Sequence, residues 1–199
     1  MKYLSEIARS IPKLAPKRCT HDKIPWRGDF IANGDDGRAY QNWDDETKVV
    51  KVGFMNTQSH SGTTLSQLED NFDYVLNNKP KAYVEIFDYG CINCRSCDVS
   101  YYVLMEKLVK LDNTEHSVPG FAIGVQDYVR RHKKNKSDPY PVGRISIPGK
   151  KNRTQLETFA RNIWDAGIIH NDIFYGNLMK TEDGDYKLID LDRLTITNI

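Results

Sequence analysis

The sequence predicts an α+β fold in which a β-rich N-terminal half precedes a smaller helical half. Three observations carry this. Short apolar runs bounded by Gly, Pro, Asn and Asp cluster between residues 29 and 105. Two stretches, 63–77 and 154–166, repeat apolar residues at helical spacing. Two more β-type runs, at 168–169 and 186–191, flank a polar loop that carries Asp172 and Asn177.

The totals set limits. At 199 residues the chain has room for one domain or two small lobes. Lys plus Arg number 28 against 27 for Asp plus Glu, so a net charge of +1 gives no reason to expect nucleic acid or a membrane surface as partner. A hydrophobic share of 39% suits a packed core and not a disordered tail. No run approaches the roughly 20 apolar residues that span a bilayer. Glu6 and Arg9 break the start as a secretory signal. Four cysteines in a chain this long read as reduced thiols. The expected location is therefore cytoplasmic, or the host-cell cytoplasm for an exported effector.

In chain order, residues 1–27 form a basic N-terminal extension, with Lys2, Lys13, Lys17, Arg18, Lys23 and Arg27. Residues 29–40 read as a β-hairpin whose turn contains Gly34, Asp35, Asp36 and Gly37. Glycines there let a backbone approach an anion and present N–H groups to it, although the two aspartates would repel phosphate if they pointed inward. Residues 47–53 form a short strand with Lys51 inside it and Lys48 at its start. A lysine in an apolar strand must meet an anion or reach water. In the helix at 63–77, Leu65, Leu68, Phe72, Val75 and Leu76 make the apolar stripe and Glu69 sits beside it.

Residues 82–92 and 100–105 read as two strands, joined by a segment with Cys91, Cys94 and Cys97. Zinc wants about four S or N ligands, and only three converge here unless Cys19 or His21 joins them, so the cysteines are taken as thiols in a connecting turn. Residues 109–151 carry Gly and Pro breaks and a basic run, Arg130, Arg131, Lys133, Lys134, Lys136, Arg144, Lys150, Lys151 and Arg153, opposed by Asp138. Such a run is read as a solvated face, with an acidic substrate, a phosphoinositide head group or a partner protein as the second reading. The helix at 154–166 buries Leu156, Phe159, Ala160, Ile163 and Trp164 and stops at Gly167.

The loop that follows is His170-Asn171-Asp172-Ile173-Phe174-Tyr175-Gly176-Asn177, and the next apolar strand ends in Ile189-Asp190-Leu191-Asp192. One Asp able to accept a proton, with an Asn and an Asp able to hold Mg²⁺, is the minimum set for moving a phosphoryl group. The pattern H-x-D-x-x-x-x-N followed by an acidic residue after an apolar strand resembles the protein-kinase-like superfamily. The matching pieces run over about 160 residues, from the lysine strand through helix, hinge strand and loop to the metal aspartate.

The resemblance implies a bilobal fold: an N-lobe over 28–108 and a minimal C-lobe over 109–199. It implies ATP and Mg²⁺ as cofactors and a hydroxyl as acceptor. Asp172 would orient and deprotonate that hydroxyl, while Asn177 and Asp190 would hold the metal. Lys51 would clamp phosphates and pair with Glu69. Ala32, Gly34 and Gly37 would roof the nucleotide; Met105 would back the adenine, with the backbone of Glu106 and Leu108 bonding the base. His170 is expected to pack and hold the loop.

The chain departs from the family pattern in five respects. Asn171 replaces an Arg, and Phe174 stands where protein kinases commonly place a second lysine on the transferred phosphate. Asp190-Leu191-Asp192 lacks the Phe and Gly of the usual triplet. Gly176 before Asn177 is more typical of aminoglycoside, choline and lipopolysaccharide-core kinases. Only residues 193–199 follow Asp192, so an activation segment, an A-P-E motif and later helices are not expected. The leading expectation is a minimal Ser/Thr protein kinase of bacterial-effector or phage type, active without loop phosphorylation or completed by a partner protein. A small-molecule or sugar kinase and a pseudokinase binding module are the alternatives.

Overall fold

The computed structural model describes residues 27–34, 37–55, 65–92, 99–133, 135, 137–148 and 152–196. The basic extension before Arg27, the hairpin tip at Asp35 and Asp36, Cys94 and Cys97, and Lys134, Lys136, Lys150 and Lys151 lie outside them, as does the side chain of Cys91. The chain is mixed α+β and divides into two compact units. Among the described residues, the first comprises those within 27–72 and 86–107; the second comprises those within 73–85 and 108–196.

The first unit is an antiparallel five-stranded sheet of order β1-β2-β3-β5-β4. Its strands are β1 (Arg27–Gly34), β2 (Gly37–Asn42), β3 (Lys48–Met55), β4 (Ile86–Ile92) and β5 (Val99–Glu106). β1 and β2 form the expected hairpin, with Gly34 opposite Gly37. Gly37 is required by the close approach of β3, since a Cβ there would run into the Val52 carbonyl. Gly53 meets a softer constraint, the far end of a side chain. The ring of Tyr101, its partner across β5, occupies the space a Cβ would need.

Helix α1 (Leu65–Asn78) gives Leu65–Phe72 to this unit. Phe72 lies against Tyr89 and Tyr101, with ring centroids 5.2 and 5.7 Å away. Residues directly opposite in an antiparallel ladder share a face. Tyr89 opposes Val103, and Val103 opposes Lys51. Phe72 therefore packs on the face that bears Lys51. Leu68 and Phe72 are buried on that helix, together with Glu69.

Strand β4 starts four residues later than the apolar run at 82–92 suggests. Ala82 and Val84 are instead held by Leu188, whose N–H donates to the Ala82 carbonyl at 2.8 Å and whose carbonyl accepts from Val84 at 2.9 Å. Those residues belong to the second unit.

The second unit packs α2 (Ser117–His132) against α3 (Arg153–Ala166) beside two small sheets. One sheet is β6 (Val109–Lys110), β8 (Leu178–Lys180) and β9 (Tyr186–Leu188) in the order β6-β8-β9; the other pairs β7 (Ile168–His170) with β10 (Leu194–Ile196). Helix α2 lies within 109–151, where Gly and Pro breaks gave no expected element. Pro119 sits in the first turn, where its missing N–H has no intrahelical partner to lose. Gly120 and Gly124 face open space, so each costs about 1 kcal/mol of propensity and no packing. Against that, Val118, Phe121, Ala122, Val125 and Val129 recur at helical spacing and are all buried. The stripe outweighs the breakers. Helix α3 buries the five residues expected of it and ends on Gly167 in the left-handed conformation, φ 62°.

The small sheet is tied by polar contacts to Glu115, just ahead of α2. Tyr186 donates to Glu115 at 2.7 Å and Lys180 to the other carboxylate oxygen at 2.9 Å. Burial works against a charged Glu115, but Lys180, Tyr186 and the Asp112 N–H overcome it and hold the carboxyl below its usual range. No described helix is long and apolar enough to cross a membrane.

Candidate functional site

The polar loop leaves β7 at His170, and three contacts fix that residue. Its N–H donates to the Gln126 amide oxygen at 2.9 Å, its Nδ1 accepts the Asp172 N–H at 3.2 Å, and its Nε2 lies 2.7 Å from the Ile189 carbonyl. A backbone N–H can only donate, so Nδ1 is bare and Nε2 carries the hydrogen given to Ile189. Burial pushes the imidazole pKa down, against the pull of the Ile189 carbonyl and of Asp190 and Asp172. The ring is therefore neutral and of one tautomer, joining the start of the loop to the end of β9. It packs and holds, as expected, with Tyr83 stacked 6.4 Å away.

Asn177 closes a single 3-10 turn, Tyr175–Asn177, and is buried. Its side-chain nitrogen donates to the Asp172 carbonyl at 2.9 Å and the Asp172 carboxylate at 3.3 Å. That leaves Oδ1 as the atom this amide can offer a cation. Its backbone carbonyl accepts the Ile189 N–H at 3.0 Å, which sets Asp190 next to the loop. Asp190 has φ 66°. A non-glycine residue in the left-handed region costs on the order of 1–2 kcal/mol, and such strain gathers where an atom must be aimed. Asp172 and Asn177 are thus bonded to each other, and the Ile189 backbone bond sets Asp190 next in the chain to a residue tied to Asn177. Hard oxygen donors such as carboxylates and amides suit Mg²⁺. Among the described residues, no group of three or more His, Cys, Asp or Glu is arranged to hold a metal.

Two residues that the sequence did not single out complete the loop. Arg193 follows Asp190 in a second 3-10 turn, Leu191–Arg193, and its Nε lies 3.8 Å from the Asp172 carboxylate. Asn171 holds Arg193 in place. Its N–H and its side-chain amide each donate to the Arg193 carbonyl at 2.9 Å, and the amide also reaches Thr195 at 2.8 Å. Gln126 is the other, linking the His170 N–H to the Tyr83 hydroxyl, which it reaches at 3.3 Å. The basic side chain one turn beyond Asp190 was a readable signal for Arg193. Gln126 gave none, because it lies 44 residues from its partner.

The remaining expected residues fall in the first unit, apart from Leu108. Ala32 opposes Ala39, and Ala39 opposes Lys51, so two small side chains neighbour the lysine on its face. Val49, opposite Met105, puts Met105 on that face too. Lys51 is half-buried, and Glu69 is buried on α1 between Leu68 and Phe72. Lys48, the alternative lysine, is occupied elsewhere. It bonds Asp45 at 2.8 Å, holding that carboxyl down to about 2 with help from Thr47, and its ammonium lies over the Phe87 ring. Gly34 ends β1, Glu106 ends β5 opposite Lys48, and Leu108 opens the connection to β6 in the second unit.

No family model matches the chain, and no curated protein matches it.

Proposed function

We propose that this chain is an ATP- and Mg²⁺-dependent phosphotransferase, most concretely a compact Ser/Thr protein kinase of the cytoplasm, its two units corresponding to an N-lobe and a reduced C-lobe. The observation that carries this reading is the double hydrogen bond from Asn177 to Asp172 beside a strained Asp190. It gives one carboxylate a fixed orientation for accepting a hydroxyl proton and leaves an amide oxygen and a second carboxylate for a cation.

In this reading Asp172 accepts the proton of the acceptor hydroxyl, and Asn177 and Asp190 hold the metal. Bound Mg²⁺ neutralises phosphate charge and aligns the γ-phosphoryl group. Lys51, oriented by Glu69, would serve the phosphates; Ala32, Gly34 and Gly37 the roof; Met105, Glu106 and Leu108 the base. Nearly all of the rate enhancement would come from positioning and charge. A protein completing the lower lobe is part of the same proposal.

A small-molecule or sugar acceptor is the second reading, favoured by one local feature. Phe174 and Tyr175 stand exposed two and three residues after Asp172, and Gly176 keeps the space that the Phe174 ring fills. Exposed rings beside a general base suit a sugar face. A binding module without turnover is the third.

Incubation with labelled ATP, Mg²⁺ and casein, and separately with sugar and lipid extracts, distinguishes them. Label on protein that disappears in Asp172→Ala supports the protein kinase. Label confined to small molecules supports the second reading. Nucleotide binding with no transfer supports the third.

A further inference from the structure

The loop carries Phe174 where a phosphate-contacting lysine is common, and Asn171 where an arginine is common. We propose that Arg193 supplies the missing cation, contacting the transferred phosphoryl group, and that Asn171 is the positioning residue that holds it there. The proposal rests on the phosphotransferase reading above.

The guanidinium edge stands 3.8 Å from the Asp172 carboxylate, with the two side chains 33% and 35% exposed, so a ligand can reach both. The Arg193 backbone does not drift, because its carbonyl takes two hydrogen bonds from Asn171 and the next residue, Leu194, pairs with His170 in the β10–β7 ladder. Arg193 is also three positions from Asp190, so the metal-side carboxylate and the cation are set by one turn.

In the transfer itself, the acceptor oxygen forms a bond to the γ-phosphorus as the bond from that phosphorus to the bridging oxygen of ADP breaks. The acceptor proton passes to Asp172. Negative charge spreads over the equatorial phosphoryl oxygens. A guanidinium beside the proton acceptor lies within reach of those oxygens, and its fork of donors fits them better than an ammonium would. Phe174 is then released from any ionic role, consistent with its 51% exposure.

The test compares the full chain with Arg193→Met, Arg193→Lys and Asn171→Ala. Calorimetry measures binding of MgADP alone and of MgADP with aluminium fluoride, a mimic of the phosphoryl group in flight. The expected result is an affinity loss of about 10²-fold for the fluoride complex in Arg193→Met, with MgADP binding changed less than about twofold. Arg193→Lys is expected to recover part of that loss, and Asn171→Ala to show a smaller loss of the same kind. Equal losses for both ligands would reduce Arg193 to a structural role and overturn the proposal. No loss in Arg193→Met would overturn it while leaving the phosphotransferase intact. Failure of the unaltered chain to bind MgADP would overturn both. Should Arg193→Met not fold, the Arg193→Lys and Asn171→Ala pair decides by the same criterion.

Discussion

The side-chain nitrogen of Asn177 reaches two atoms of Asp172 at once, the backbone carbonyl at 2.9 Å and a carboxylate oxygen at 3.3 Å. One buried amide thereby sets both the path of the loop and the rotation of the carboxylate it carries.

Asn177→Ala removes both bonds and the amide oxygen together. Phosphoryl transfer at saturating Mg-ATP is expected to fall by on the order of 10²–10³-fold. Stability should fall by about 1–3 kcal/mol, because the Asp172 carbonyl loses a buried donor. Initial rates and urea titrations check the two effects separately. A variant with wild-type turnover would remove Asn177 from the chemistry.

Gln126→Leu keeps volume but leaves the His170 N–H without its acceptor, in a buried setting. The expected cost is roughly 2–4 kcal/mol from one unsatisfied donor and a second lost bond to Tyr83. Urea midpoints read it, with an unchanged slope. A shift below about 0.5 kcal/mol would mean that solvent substitutes for the amide.

Stability should fall as the solution becomes acid. His170 has a native pKa below its ordinary 6.5 because it is buried. Above 6.5 the folded and unfolded chains both keep the ring neutral, and the full contribution is present. As pH drops through 6.5 towards the lowered native value, the unfolded chain takes a proton the folded one resists. The slope from this one group approaches about 1.4 kcal/mol per pH unit. The difference between wild type and His170→Gln, followed from pH 7.5 to 5, isolates it; parallel curves would exclude His170 as the source.

Gly124→Ala should stabilise the protein. The position is in the interior of α2 and a methyl group there meets nothing within 4 Å. A gain of about 0.5–1 kcal/mol is expected from helix propensity and the reduced freedom of the unfolded chain. Thermal unfolding checks it, and a lower midpoint would show that the face is not open.

What could be read from the chain alone follows the range of the interactions involved. Leu156, Phe159, Ala160, Ile163 and Trp164 declared their helix because one face of one segment suffices to define it. The strand around Lys51 was readable for the same reason. Helix α2 was hidden by Pro119, Gly120 and Gly124, whose local penalties are outweighed by burial that no short window contains. Strand β4 began late because Ala82 and Val84 answer to Leu188, more than 100 residues away. In the loop, Asp172, Asn177 and Asp190 were singled out by the motif they match. Arg193 left only its place one turn beyond Asp190 as a signal and Gln126 left none, because what they do depends on β10 returning to β7 and on α2 passing behind it.

The contact between Gly53 and Tyr101 bears on how chains of this kind diverge. The tip of the ring occupies the space a methyl group at 53 would need, so a side chain there must displace a buried ring, whereas a smaller residue at 101 leaves room for it. Enlargement at 53 should therefore be tolerated more readily where 101 has already shrunk, which couples the two positions.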